Sequence, residues 1–247
     1  MKQIDFYDYW NKRRPGGLYI WDREKKALKL MSNILKPNSM VLDAGCSNGR
    51  FMKIMFQKFK DKNIHIKGIE YSKHELAEAK KEGFDVKWGD FEQGIKLRDK
   101  TLDIVYAGEI IEHLYNPDFF LSEINRVLKK RGYFVFATPN LLAWFNRILV
   151  PLGVQPLFLE PSTKSKLVGA GFLARFKKES QPVGHVRIFT TRALKDMLEM
   201  NGFEILKIKG ALFDEGLPKS ILWIDKIFNI IPGLSSNLVI VARKVRD

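Results

Sequence analysis

The sequence predicts an α/β protein built on a mainly parallel sheet. Three observations lead there. From Met40 to Thr138, short β-prone runs alternate with runs whose apolar residues recur at helical spacing. The stretch Val41 to Phe51, VLDAGCSNGRF, joins an apolar run to a helical one through a turn of small residues between Gly45 and Gly49. The alternation breaks after Pro139 and returns from Thr190 to the last β-prone run, Asn237–Arg243. Strands that alternate with helices pack as a parallel sheet covered on both faces.

In order, the first 38 residues are polar-aromatic and helical in pattern. Ala27, Leu28, Met31, Ile34 and Leu35 lie on one face, and Pro37-Asn38 ends the run. Met40–Asp43 is a strand, followed by a helix from Gly49. Ile64–Glu70 and Val86–Trp88 are strands flanking a helix over Ser72–Glu82, with Ser72 and Glu75 as a capping box. Leu102–Ala107 and Tyr133–Thr138 are strands around a helix Asp118–Leu128, whose first turn suits Pro117. Residues 141–160 are apolar but broken by Pro151 and Pro156, and 161–188 are basic and loop-like. A Thr190/Thr191-capped helix runs to Met200, Gly202–Lys209 is a strand, and Lys219–Ile231 is an apolar helix. One domain, 1–247, is the economical reading, with an N-terminal helical extension over 1–38 and an insertion over 141–188.

Composition bounds the answer. A chain of 247 residues with 45% hydrophobic residues buries a full core. One cysteine precludes an internal disulfide framework and suits a reducing compartment. Residues 2–5 carry no apolar signal core, and no stretch has the ~18 apolar residues of a membrane span, so a cytoplasmic location is expected. The net charge of +14 suits an anionic partner. Its lysines are nonetheless scattered (Lys25, Lys80, Lys129, Lys177, Lys178), with no interleaved aromatics, and read first as a solvated surface.

The glycine turn carries the chemistry. A strand, a tight turn and a helix start expose backbone N–H groups to a polar ligand, and glycine lets that ligand approach closely. Gly45-Cys46-Ser47-Asn48-Gly49 lacks the middle and last glycines of a dinucleotide fingerprint and the Gly-Lys-Ser/Thr end of a P-loop. Glu70 closes the second strand, where a carboxylate can accept hydrogen bonds from a ribose diol. Asp90 in WGDFE follows the third strand, and YAGEIIEHL, Tyr106 to Leu114, ends the fourth. All four segments fall at the carboxyl edge of the sheet, where ligands bind in such folds. Individually, Asp43, Glu70 and Asp90 have simpler readings as loop, surface and turn carboxylates.

From about Met40 to Asn140 the sequence resembles the class I S-adenosylmethionine-dependent methyltransferases, through LDAGCSNG, Glu70, GDF, LDIVYAGEIIEHL and PDFFLSEINRVLKKRGYFVFATPN. The resemblance implies a Rossmann-like, doubly wound, mostly parallel sheet with its last strand antiparallel and a helical or loop insertion after the fifth strand. It implies S-adenosyl-L-methionine as cofactor. Gly45, Cys46 and Gly49 would pass under its methionine end, Glu70 would hold the ribose, Asp90 the adenine amino group, and Tyr71 or Phe91 the ring. Asp43, Gly108 and Glu109 would face the methionine and the sulfonium. Ser47 stands where the family often has a second glycine. The cofactor has no phosphate, which agrees with a loop lacking lysine.

The expected acceptor is a small molecule, a glycan or a lipid-like compound, methylated on O or N. The competing readings are an RNA or protein methyltransferase and a non-catalytic cofactor-binding protein; a dehydrogenase is disfavoured by the glycine spacing. His113 and His185 are candidate general bases. Cys46 reads as a small buried residue, and no metal set is expected. Arg147, Arg175 and Arg187 could take an acidic group of the acceptor. The 219–231 helix, with Trp223, Ile224, Ile227 and Phe228, could meet an anionic membrane surface, a dimer partner or the sheet.

Overall fold

A computed structural model of the chain describes residues 19–176, 179–214, 217–218 and 220–247. Residues 1–18, 177–178, 215–216 and 219 therefore lie outside the described residues, and with them nearly half of the expected N-terminal extension, 18 of its 38 residues. The elements are α1 (Asp22–Ser32), β1 (Met40–Ala44), α2 (Arg50–Lys58), β2 (His65–Glu70), α3 (Lys73–Lys81), β3 (Asp85–Trp88) and β4 (Leu102–Gly108). They continue with α4 (Pro117–Val127), β5 (Leu128–Pro139), α5 (Trp144–Leu149), α6 (Thr191–Met200), β6 (Phe203–Ala211), α7 (Leu222–Phe228) and β7 (Asn237–Lys244).

The strands form one sheet in the order β3-β2-β1-β4-β5-β7-β6. β1 to β5 run parallel, and β7 is antiparallel to both β5 and β6. The expected Rossmann-like sheet with its last strand antiparallel is present. The order reverses between β1 and β4, which opens a crevice at their carboxyl ends.

Alternate residues of the central strands feed two cores, as the two-residue period of a strand requires. Leu42, Val105, Phe134, Phe136 and Ile240 pack under α4 and α6. Val41, Ile104, Val135, Val239 and Val241 pack under α1, α2 and α3. Phe134 stacks on Phe136 at 4.6 Å and also meets Phe120 and Phe203.

Two elements depart from expectation. β5 starts at Leu128, not Tyr133, because Leu128 pairs with Leu102 before an irregular excursion; Arg131 takes φ 62°, and pairing resumes at Ile104–Tyr133. Periodicity cannot see such a bulge. The 219–231 helix is shorter, Leu222–Phe228, and Pro232 follows its frayed end. Ser72, Asn116 and Thr190 cap their helices through side-chain oxygens.

Phe134→Ala removes the ring around which the α4–α6 core is built. We expect a loss of about 3–5 kcal/mol in urea unfolding; a loss below about 1 kcal/mol would contradict this packing.

Candidate active site

The turn after β1 is held in a conformation that ordinary residues avoid. Gly45 (φ 80°), Ser47 (φ 50°) and Gly49 (φ 82°) all lie in the left-handed region. A Cβ on Gly45 would lie 2.2 Å from Ile110 Cδ1. Ser47 is the only one of the three with a side chain, and that side chain donates to Glu75 Oε2 at 2.6 Å. The bond explains how serine stands where the family often has glycine.

Glu70, at the end of β2, ties the turn to its neighbour. Its carboxylate accepts from Ser47 N at 2.8 Å and Ser72 N at 2.7 Å. Gly45 N and Cys46 N both donate to Ile69 O, at 2.8 and 3.1 Å. Cys46 is buried, and burial among carboxylates pushes its thiol pKa up, so it is inert as a nucleophile.

Asp43 is 2% exposed, and its Oδ2 has no hydrogen-bond partner among the described residues. Burial, reinforced by the charges of Glu24 and Glu70 and opposed by Arg50, pushes its pKa up to about 8. Helix α1 covers this point. Arg50 bonds Glu24 and the Tyr19 carbonyl, and Arg23 Nε lies 3.7 Å from Glu109 Oε1. The α1 residues Arg23 and Glu24 have no signal of function in their own periodicity, which shows only a buried helix face.

Further along the edge, Asp90 caps a short 3-10 turn by accepting from Glu92 N at 3.0 Å. Phe91 is buried against Phe120 at 5.2 Å, so its ring belongs to the core. Tyr71 is half-buried beside Trp88, whose indole N–H donates to the Tyr71 carbonyl at 2.8 Å. Gly108 ends β4, where a Cβ would crowd the Tyr106 hydroxyl at 2.5 Å. Glu109 follows with φ 60°, its N–H donating to Ala137 O at 2.9 Å.

A second cluster lies at the ends of β4 and β5. His113 and His185 have ring centroids 4.9 Å apart. Their Nδ1 atoms lie 3.0 Å from Gly184 O and 2.9 Å from Phe158 O, so each ring is a neutral Nδ1–H tautomer. Burial, with help from His185, pushes His113 down to about 3; burial also lowers His185. Imidazoles so hard to protonate are weaker bases than free histidine. Glu112 is fully buried, and burial and the charge of Glu109 raise its pKa. Arg147 and Arg187 donate to the Leu142 and Tyr115 carbonyls, and Arg175 to Phe172 O.

A family profile described as a methyltransferase domain matches residues 35–167. The chain belongs to the class I S-adenosylmethionine-dependent methyltransferases. A ubiquinone biosynthesis O-methyltransferase of Pelagibacter ubique is 33% identical over 131 residues, 49% of this chain and 51% of that protein. A ubiquinone/menaquinone biosynthesis C-methyltransferase of Campylobacter jejuni is 29% identical over 133 residues, 52% and 57%. The chain thus spans about half the length of the curated relatives it matches. In fold it is similar to a SAM-dependent methyltransferase from Archaeoglobus fulgidus, with a TM-score of 0.60, 21% identity, and coverage of 97% of this chain and 100% of that one.

The methyltransferase cofactor, S-adenosyl-L-methionine, fits these residues. The orphaned Asp43 Oδ2 matches an ammonium, the buried Glu70 carboxylate a ribose diol, and the lysine-free turn a ligand without phosphate. Pairing Asp43 with an ammonium expels its proton at pH below about 8. Affinity for S-adenosylhomocysteine should therefore tighten as pH rises from 6 to 8, by up to about tenfold per unit, and Asp43→Asn should flatten the profile. Without ligand the sign is opposite. The folded chain binds this proton more tightly than the unfolded chain, so stability falls as pH climbs from 3.8 to about 8. Calorimetry across pH decides it; identical flat profiles for both proteins would refute the pairing.

Proposed function

We propose that this chain transfers a methyl group to an oxygen or nitrogen of a small-molecule acceptor with an apolar portion. The observation that carries the reading is the conjunction at one sheet edge of the left-handed, lysine-free turn, the unpartnered Asp43 oxygen and the buried Glu70. Asp43, Gly45, Cys46 and Gly49 line the methionine end, Glu70 takes the ribose, and Asp90 with Tyr71 takes the adenine. Gly108 and Glu109 face the transferred group. When bound, the cofactor supplies an electrophilic methyl on a cationic sulfur, so the chain mainly aligns its partner, an effect worth up to ~7–11 kcal/mol.

The acceptor enters beside His113 and His185, under the 141–188 segment. That segment is anchored there by main-chain bonds from Val186 and Arg187 to the Glu112 carbonyl, at 2.9 and 3.0 Å. Its own small core of Ala143, Phe145, Leu149 and Val154 supports an apolar wall. Two relatives are named for methylation in quinone biosynthesis, one on oxygen and one on carbon, which supports a quinone-related small molecule as the acceptor class to test.

Calorimetry with S-adenosylhomocysteine tests cofactor binding before any acceptor is known. Glu70→Ala should weaken it by about ten- to a hundredfold, the worth of a charge-assisted hydrogen-bond pair. Labelled cofactor with phenol, catechol and sugar acceptors then tests turnover. No binding at millimolar ligand would refute the reading.

A membrane-resident acceptor is favoured by one surface feature. Trp223 (60%), Ile227 (56%) and Ile230 (80%) are exposed around α7 in a chain of net charge +14. No helix among the described residues is long and apolar enough to cross a membrane, so contact would be interfacial. Co-sedimentation with anionic vesicles at low salt should be lost in Trp223→Ala/Ile227→Ala; failure of the unaltered protein to co-sediment removes this docking.

A further inference from the structure

We propose that Glu112, His113 and His185 form a site for a first-row divalent cation at the acceptor side of the edge. This inference rests on the methyltransferase reading for its purpose but not for its test.

One donor atom from each of the three residues lies within 4.8 Å of the other two. Ligands around a divalent ion at about 2.1 Å sit about 3–3.4 Å apart. Small side-chain rotations therefore close the set. Two features mark these groups as built to ligate. Both imidazoles give Nδ1–H to a main-chain carbonyl, Gly184 O and Phe158 O. This is the outer contact that orients ligating histidines and puts the lone pair on Nε2. Glu112 is fully buried, and its carboxylate is only half satisfied. Oε2 accepts from the Thr138 hydroxyl at 3.1 Å, while Oε1 has no hydrogen-bond partner among the described residues. A buried carboxylate oxygen without a donor is costly, and a cation removes that cost.

The frame is fixed from behind. The Glu160 carboxylate accepts from Val183 N, Gly184 N and His185 N, at 2.8, 2.7 and 3.1 Å, and so sets the loop that carries His185. The Glu112 carbonyl accepts from Val186 and Arg187, which locks that loop to the turn of Glu112 and His113. Two nitrogens and one carboxylate suit zinc, iron or manganese, and three protein ligands leave positions open. An acceptor hydroxyl fits such a position, and losing its proton to water becomes easier there. The cation thus selects acceptors that present an oxygen.

The test uses the full chain with Zn²⁺ and Co²⁺ as probes. Calorimetry should give one equivalent of Zn²⁺, and Co²⁺ should develop a visible ligand-field spectrum. His185→Ala and Glu112→Gln should each weaken binding at least roughly tenfold and bleach that spectrum. Affinity for S-adenosylhomocysteine should stay within about twofold in both variants, which also certifies their folding. Absence of stoichiometric binding, or binding untouched by both substitutions, overturns the site. Loss of S-adenosylhomocysteine binding in the unaltered protein would instead strike the methyltransferase reading and leave the metal result to stand alone.

Discussion

The site depends on one carboxylate. Glu70 accepts from the backbone of Ser47 in the first turn and of Ser72 at the start of α3, and so couples the ends of β1 and β2. The turn it holds passes through three left-handed residues and would not keep that path unaided. Ile69 O, taking two more amides, completes the clamp. A backbone fixed this way presents its groups to a ligand without being ordered at the moment of binding.

Charge along the edge follows from the same constraint. Asp43, Glu70 and Glu112 lie buried at the carboxyl ends of β1, β2 and β4, with the partly exposed Glu109 beside them, and burial there makes negative charge expensive. Arg50 and Arg23, brought in by α2 and α1, offset part of it near Asp43 and Glu109. The remaining deficit lies at Asp43 Oδ2 and Glu112 Oε1, which have no donor among the described residues. The first suits the ammonium of a cationic cofactor, and the second suits a metal ion. The edge therefore has two cation-seeking points, one at the donor end and one at the acceptor end of the proposed transfer.

Much of this was legible in the residues. The strand–helix alternation, the caps at Ser72 and Thr190, and the order of Asp43, Gly45, Glu70 and Asp90 are local patterns, and local patterns survive in a sequence. The bulge at Lys129–Gly132 was not legible, because it arises from pairing with β4 rather than from periodicity. Phe91 looked equivalent to Tyr71 as a ring for adenine, yet only packing shows it turned against Phe120. His113 and His185 are legible as candidates at this edge, but Glu112 and the meeting of the three side chains are not. His113 and His185 are 72 residues apart (185 − 113), and what joins them is tertiary: His113 Nδ1 on the Gly184 carbonyl, and Val186 and Arg187 N–H on the Glu112 carbonyl. The cover supplied by Arg23 and Glu24 was missed for the same reason.

A crystal structure of the complex with S-adenosylhomocysteine tests the central claim most directly. The account predicts ribose hydroxyls on the Glu70 carboxylate, the ammonium beside Asp43, and the turn from Gly45 to Gly49 little changed. A nucleoside bound away from Glu70, or a turn that refolds to receive it, would contradict it.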